Sequence, residues 1–348
     1  MDEHSQKTKK KKSIIAAIVA VVLIGGLLGL IGLVVVGFGL IGSVSGSDLS
    51  QVDYYDENFN GINEFEASRA KRIGLLEFNG EITNGSGLGG PFASGESVIT
   101  PELVRNSLDS VTKDNSELAA VVLDINSPGG EVAPADEIND LITRFAEKYP
   151  TYVYSSQLLA SGAYEMAVPA KKIYTSQETL TGSIGVIGQF LNIEKLAADY
   201  GVKMETFKAG KFKDTGNPFR SPTDEEKATF QEMIDQTYDA FVADVAAGRG
   251  LEEGQVRQLA TGDVWRGPQA LEKGLIDGVL YKSDLIAQIK KDESIDDTVV
   301  VVEYRQPTPG LIDSLLGLSA KFSTNPVDDF AQDLIGKRSG LYYLYQGF

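Results

Sequence analysis

A serine flanked by small residues lies near the middle of the chain, in the segment Leu159-Ala160-Ser161-Gly162-Ala163-Tyr164. An extended run, Tyr152 to Ser156, precedes it, and a helical pattern follows it. A hydroxyl at the start of a helix meets unpaired backbone amides and the positive end of the helix dipole, which favour developing negative charge. Ser161 is therefore a candidate nucleophile, and an ordinary serine N-cap is the alternative interpretation.

A pair of glycines follows a second extended run. The apolar stretch Glu117–Ile125 predicts a strand covered on both faces, and Asn126-Ser127-Pro128-Gly129-Gly130 ends it. Consecutive glycines allow backbone amides to point at a ligand, as an oxyanion hole requires. Gly129 and Gly130 are thus candidate oxyanion donors, and a plain strand-to-helix turn is the alternative.

The base that would activate Ser161 has to be something other than histidine. The single histidine, His4, lies in the N-terminal tail, and the chain has no cysteine. A Ser-His-Asp triad within the chain, a thiol nucleophile and a thiolate metal site are therefore excluded, which leaves carboxylates, a lysine or a metal held by oxygen alone. Desolvation can lower the pKa of a lysine enough for it to act as a base. Lys208, Lys211 and Lys213 follow the serine in an irregular loop, and their spacing does not choose among them.

The surrounding sequence predicts strands that alternate with helices. Apolar runs indicate strands at 73–78, 117–125, 151–156, 173–176, 202–207 and 298–304. Capping residues and periodicity indicate helices at 101–111, 134–148, 192–200, 223–247 and 251–259. This alternation is typical of an α/β fold with a mainly parallel sheet.

The N-terminus combines a lysine cluster with a long apolar run. Five lysines within the first 12 residues precede the apolar residues 14–41, and no charged residue occurs from Ser13 to Ser47. The run exceeds the roughly 20 residues that a membrane helix needs. The positive-inside rule places the N-terminus in the cytoplasm and the body outside it. We predict a single-pass anchor in the cell membrane, with the lipid bilayer as a partner, and a cleaved signal peptide is the alternative.

These patterns divide the chain into five parts: a basic cytoplasmic tail (1–12), a transmembrane anchor (13–43), a stalk (44–68), a catalytic domain (69–290) and a C-terminal strand with a docking tail (291–348). The net charge of −17 argues against a nucleic-acid partner. The tail ends in an aromatic segment, Leu341 to Tyr345. We expect it to dock on another surface, and a substrate groove where it would regulate access is one candidate.

Four motifs occur in a fixed order behind the predicted anchor. They are Asn126–Gly130 (NSPGG), Leu159–Tyr164 (LASGAY), Thr181–Val186 (TGSIGV) and Ala209–Asp214 (AGKFKD). In this order the chain resembles the signal peptide peptidase A family, bacterial membrane-bound Ser/Lys peptidases with a ClpP/crotonase-like fold. The resemblance covers roughly residues 70 to 290 and is to the short, single-domain form of Gram-positive bacteria.

The resemblance implies roles for three side chains. Ser161 matches the family's nucleophile, and Lys213, which precedes Asp214, matches its general base. Ser183 matches the serine that hydrogen-bonds and orients the lysine. No cofactor or metal is implied.

The resemblance also implies how substrate is bound. Oxyanion donors would be the amides of Gly130 or Gly129 and of Gly162. Substrates would be signal-peptide remnants and other apolar peptides, cut in extended form. The assembly would be a homo-oligomer, an octamer in which serine and lysine come from adjacent protomers.

One departure from the family and two alternative functions are part of the prediction. Where the family often has Gly-Tyr-Tyr after the serine-glycine step, this chain has Ala163, Tyr164 and Glu165, and we expect Glu165 to face outward. The first alternative is a crotonase-like acyl-CoA enzyme, which would share the glycine oxyanion hole. The second is a catalytically inactive membrane scaffold.

Overall fold

A seven-stranded sheet runs through the part of the chain that the computed structural model describes, which is residues 51–67, 70–84, 98–113, 117–305 and 341–344. In spatial order its strands are β1 (Gln51–Tyr55), β14 (Val299–Arg305), β2 (Lys71–Asn79), β5 (Leu118–Asn126), β7 (Thr151–Ser155), β9 (Lys172–Thr175) and β13 (Gly278–Val279). Neighbouring strands are parallel except for the antiparallel pair β1 and β14. The prediction of an α/β fold with a mainly parallel sheet is confirmed.

Helices connect these strands, as a parallel sheet requires. In the described residues they are α1 (Glu64–Ala67), α2 (Pro101–Lys113), α3 (Val132–Ala146), α4 (Gly162–Ala167), α5 (Glu194–Asp199), α6 (Asp224–Arg249), α7 (Glu253–Leu259), α8 (Gly267–Glu272) and α9 (Lys282–Glu293).

Both faces of the sheet are buried, which explains why the central strands are continuously apolar. On β5, Val121, Leu123 and Ile125 contribute to one hydrophobic cluster, and Ala120 and Val122 contribute to the cluster on the opposite face. All five side chains are at most 1% exposed. Strand β5, which precedes the glycine pair, is therefore at the centre of the core.

Two of the predicted helix starts are confirmed by their capping bonds. The Thr100 hydroxyl accepts the N–H of Leu103 at 3.1 Å at the start of α2. At the start of α6, Thr223 and Glu226 form a reciprocal capping box, in which each side chain accepts the backbone N–H of the other residue.

Two smaller sheets lie beside the main sheet and contain the segments that the sequence singled out. A three-stranded sheet has the order β12 (Val264–Arg266), β10 (Leu180–Gly182), β8 (Leu158–Ala160). A five-stranded sheet has the order β11 (Ile187–Gly188), β15 (Leu341–Leu344), β6 (Gly129–Glu131), β3 (Glu81–Ile82), β4 (Val98–Ile99).

One predicted strand does not form. Residues 202–207 form no strand, and Val202, Met204 and Phe207 are exposed, because the segment has no partner strand in the described part of the chain. The main sheet also extends past the expected domain limits of 69 and 290. Both β1, from the expected stalk, and β14, from the expected C-terminal part, are strands of this sheet.

The basic tail (1–12) and the predicted anchor (13–43) lie outside the described residues. Within those residues, no helix is both long enough and apolar enough to cross a bilayer.

Candidate active site

Ser161 lies where strand β8 ends and helix α4 begins. Strand β8 pairs in parallel with β10, so that Ala160 is opposite Gly182. The N–H of Ser161 continues this ladder and donates to the carbonyl oxygen of Gly182 at 2.8 Å. Because the carboxyl ends of parallel strands meet at the same edge, Ser161 and Ser183 occupy corresponding positions after neighbouring strands.

Both serines have a positive φ, a backbone conformation that is unfavourable for residues other than glycine. Ser161 has φ 57° and ψ −125°, and Ser183 has φ 50°. A residue in such a region costs on the order of 1–3 kcal/mol and persists only where its surroundings impose it. Both are also buried, Ser161 to 1% exposure and Ser183 to 7%. Strain at two buried hydroxyls on one edge is characteristic of a catalytic site.

The backbone around Ser183 explains how this strain is imposed. The N–H of Ser183 donates to the carbonyl oxygen of Asp263 at 2.7 Å. Gly182 has φ 96°, and a Cβ at this position would lie 2.6 Å from the Trp265 ring. The turn is therefore held between β8 and the residues that lead into β12.

The glycine pair forms strand β6. A Cβ on Gly130 would lie 2.0 Å from the carbonyl oxygen of Ile82, so the close approach of β3 requires glycine there. The N–H of Gly129 already donates to the Ser127 hydroxyl at 3.1 Å. Gly162 opens α4, where the first N–H groups of a helix have no intrahelical acceptor.

An extended segment from the C-terminal tail lies against these glycines. Strand β15 is antiparallel to β6, with Tyr343 opposite Gly130, and antiparallel to β11, with Tyr342 opposite Ile187. Strand β15 also contacts α4, the helix that Ser161 precedes. Residues 341–344 of the tail therefore lie between β6 and β11.

The three candidate lysines have different surroundings. Lys208 forms an ion pair with Asp214, and Lys211 forms one with Glu225. Lys213 is exposed, and its ammonium has no hydrogen-bonding or ionic partner among the residues that the structure describes. Of the three candidate lysines, Lys208 and Lys211 are thus each engaged by a carboxylate, and Lys213 is not.

Within one chain, the structure does not bring Lys213 into contact with Ser161. The serine is buried and its hydroxyl makes no capping hydrogen bond, whereas the lysine is exposed. No hydrogen bond joins these two described side chains. The structure does bring Ser161, Ser183 and the helix-opening Gly162 together on one edge.

Arg220 is a residue of this region that the sequence analysis missed. Its guanidinium donates to the Asp214 carboxylate at 2.9 and 3.0 Å and to the Glu226 carboxylate at 2.5 and 2.8 Å. These hydrogen bonds from Arg220 are the main reason that the pKa values of Asp214 and Glu226 lie well below their usual range. The capping box was the one feature of the sequence that drew attention to Glu226, which is a partner of Arg220. The loop that carries Lys213 is therefore fastened to the start of α6.

The expectation for Glu165 is wrong. Its side chain is only 1% exposed, and all six residues of α4 are buried. Because α4 is packed on every side, it has no outward face. Asn139 further fixes this turn by donating to the carbonyl oxygen of Glu165 at 2.7 Å.

Replacing Ser161 by glycine should relieve backbone strain that alanine retains. We expect Ser161→Gly to be about 1 kcal/mol more stable than Ser161→Ala, after allowing for the greater freedom of glycine in the unfolded chain. Urea unfolding measures the difference. The same pair at Ser110, in the interior of helix α2, is the control, since alanine is about 1 kcal/mol better than glycine in a helix interior. The same order at both sites would contradict the strain.

Replacing Arg220 by glutamine should lower Tm by an amount that depends on pH. The pKa values of Asp214 and Glu226 are lowered in the folded state. The stabilisation is therefore fully present above their unfolded pKa values, about 4, and is lost as pH falls further. We expect the Tm gap between wild type and Arg220→Gln to be constant from pH 7 to about 5 and to shrink below about pH 4. The exposed pair of Arg257 and Asp239 provides the control, because Arg257→Gln should change Tm little. A gap that grows toward acid pH would contradict the interpretation.

Comparison with known proteins identifies the family. The model of peptidase family S49 matches residues 143–296. The chain is 33% identical over 271 residues to signal peptide peptidase SppA of Enterococcus faecium. This alignment covers 74% of this chain and 76% of that protein. It is also 30% identical over 260 residues to a protease of Synechocystis sp., in an alignment that covers 75% of this chain and 88% of the relative.

Among solved structures, a ClpP1 mutant from Listeria monocytogenes matches with a TM-score of 0.39 and 16% identity, covering 61% of this chain and 94% of that chain. The relationships in sequence are much closer, and they extend over most of both chains. The chain therefore belongs to peptidase family S49 and is a serine protease.

Proposed function

We propose that the protein is a membrane-anchored endopeptidase with a Ser/Lys dyad, in which Ser161 is the nucleophile, Lys213 the general base and Ser183 the residue that orients the lysine. One observation carries the proposal: a strained, buried serine lies beside a glycine strand that already pairs with an extended peptide segment, β15. Ser183 supports it, since its strained turn is bonded to Ser161 through Gly182.

The chemistry then follows from these positions. The neutral amine of Lys213 takes the proton of the Ser161 hydroxyl, and the resulting alkoxide attacks the carbonyl carbon of a peptide bond. The amides of Gly130 and Gly162 stabilise the oxyanion. Gly130 is favoured over Gly129, whose N–H is engaged by Ser127. The lysine ammonium protonates the leaving amine, and water then hydrolyses the acyl-enzyme and regenerates the serine.

The position of Lys213 favours a dyad shared between protomers. Lys213 is exposed and belongs to a segment, residues 187–213, that is rich in exposed apolar side chains; Phe207 is 96% exposed and Tyr200 is 81% exposed. This segment also contains the lysines at 195, 203, 208, 211 and 213 in a chain of net charge −17. A second copy of this acidic chain is a complementary partner for it. A homo-oligomer, with the octamer as the expected form, would cover the apolar surface and place Lys213 against the Ser161 of a neighbour.

Strand β15 supports the substrate class. It pairs through its backbone with β6 on one side and β11 on the other. Backbone pairing accepts any extended peptide, and adjacent pockets add specificity. Extended apolar peptides such as signal-peptide remnants fit this mode of binding, and a relative of this chain is named as a signal peptide peptidase.

The uncharged residues 14–41 behind a lysine cluster support the membrane anchor and an extracytoplasmic catalytic domain. A ClpP/crotonase-like core suits the parallel sheet and the glycine strand beside it. Membership of a peptidase family counts against the acyl-CoA enzyme. The strain retained at Ser161 and Ser183 counts against an inactive scaffold, in which it would serve no purpose.

Ser161→Ala and Lys213→Ala should each reduce kcat for an apolar peptide by about 10⁴-fold or more, because each removes one half of the dyad. Peptide hydrolysis is measured beside Tm, which should be nearly unchanged. Lys148→Ala is the control, since Lys148 is an exposed lysine outside the segment 187–213. Turnover near the wild-type value in either dyad variant would disprove the assignment.

Mixed assemblies of the two inactive variants extend this experiment. If the dyad is shared, some interfaces pair an intact Ser161 with an intact Lys213 and activity returns. Mixing is verified by mass spectrometry of the intact oligomer. Absence of activity in verified mixed assemblies would place the dyad within one protomer.

Removal of residues 341–348 should expose the edge of β6. We expect the KM for an extended peptide to fall several-fold while kcat changes little, because the tail competes for the same backbone pairing. A synthetic peptide of residues 341–348 should then inhibit the truncated enzyme competitively. An unchanged KM would show that the tail does not limit access.

A further inference from the structure

Asn126 lies at the junction between the two halves of the proposed site. It is the last residue of β5 and directly precedes Ser127, Pro128 and the glycine strand β6. Its neighbour across the sheet edge is the turn of residues 155–157, which leads into β8 and Ser161. One side chain therefore lies between the nucleophile segment and the oxyanion segment.

The Asn126 side-chain oxygen accepts hydrogen bonds from several donors of that turn. It accepts the N–H of Gln157 at 2.9 Å and the N–H of Ser156 at 3.2 Å. The hydroxyls of Ser155 and Ser156 also point at it, each at 3.3 Å. Because two of these donors are backbone N–H groups, the side-chain atom that faces the turn has to be the oxygen.

The opposite side of the amide is fixed by a partly buried ion pair between Asp124 and Lys282. The Asn126 Nδ2 donates to Asp124 at 3.3 Å, and Lys282 donates to the other oxygen of Asp124 at 2.7 Å. The Asp124 side chain is 7% exposed. Its carboxylate therefore orients the amide so that the oxygen points to the turn.

Backbone hydrogen bonds continue the connection that Asn126 begins. The N–H of Ser127 donates to the carbonyl oxygen of Leu158 at 2.7 Å, and the N–H of Ala160 donates to the carbonyl oxygen of Ser127 at 3.2 Å. Ser161 directly follows Ala160, and Gly129 is two residues after Ser127. A displacement of the 155–157 turn would therefore change the distance between the nucleophile and the oxyanion amides.

We propose that Asn126 is a positioning residue of the peptidase reaction: its side-chain amide holds the start of the nucleophile strand against the oxyanion strand. This rests on the proposed role of Ser161. Asn126 acts through Ser161 and Gly130 and touches no reacting atom.

The experiment measures how fast a fluorophosphonate labels Ser161, with labelling located by peptide mapping and Tm recorded for every variant. We expect Asn126→Ala to be labelled about 10- to 100-fold more slowly than wild type, because small misplacements of a nucleophile cost rates of this size. Peptide hydrolysis should lose kcat by a similar factor, with KM less affected.

An exchange of amide and carboxylate separates positioning from folding. Asn126→Asp has nearly the same size, but it places two carboxylates side by side and removes the donor to Asp124, so labelling should slow. In the double variant Asp124→Asn with Asn126→Asp, the donor and acceptor are exchanged and the oxygen that faces the turn is kept. Lys282 retains Glu77, at 3.1 Å. Labelling should return to within about threefold of wild type, given the rate scale for misplacement.

Thr151→Val is the matched control. Thr151 is fully buried, and its hydroxyl donates to the carbonyl oxygen of Tyr149 at 2.8 Å, at the other end of β7. This variant should lower Tm without slowing the labelling of Ser161.

Three results would overturn the proposal: wild-type labelling of folded Asn126→Ala, wild-type labelling of Asn126→Asp, or a double variant no faster than Asn126→Asp. If Asn126→Ala does not fold, the last two results decide. Failure of the wild type to be labelled at Ser161 is a different outcome, since it would remove the assignment of the nucleophile and the proposal together.

Discussion

The strained backbone of Ser161 depends on the strands that flank it. The Ser161 N–H is bonded to Gly182 of β10, and Ala160 is bonded to Ser127 beside the glycine strand. These two bonds hold the backbone immediately before Ser161 and at its own N–H, and the serine has φ 57° between β8 and α4. The hydroxyl is therefore held at the start of a helix, where unpaired amides favour negative charge.

A second constraint acts on the loop that carries Lys213. Arg220 binds Asp214 and Glu226 at once, and Glu226 also caps helix α6. The loop is thus ordered by charge-assisted hydrogen bonds, although it contains no strand. Lys213 is presented to the exterior as a consequence, beside exposed aromatic side chains that a folded monomer would normally bury.

Strand β6 pairs with a different segment on each of its edges. On one edge, β3 approaches so closely that a Cβ at Gly130 would lie 2.0 Å from the carbonyl oxygen of Ile82. On the other edge, the backbone of β6 pairs with β15, including at Glu131. The glycine at position 130 is therefore required by the approach of β3, whereas pairing with an extended segment uses only the backbone of the strand.

Local patterns in the sequence were sufficient to predict the α/β class, most helices and strands, and the segments that contain Ser161, Ser183 and the glycine pair. Capping by Thr100 and Thr223 and the continuous apolar run of β5 depend on near neighbours or on burial, and both leave clear local signals. The strand predicted at 202–207 failed because a strand also needs a partner, and burial of Glu165 was missed because helix packing is set by distant segments. The ion pairs of Lys208 and Lys211 and the hydrogen bonds of Arg220 and Asn126 likewise join residues that are apart in the sequence. Such contacts depend on how the chain folds back on itself, so tertiary structure alone determines them.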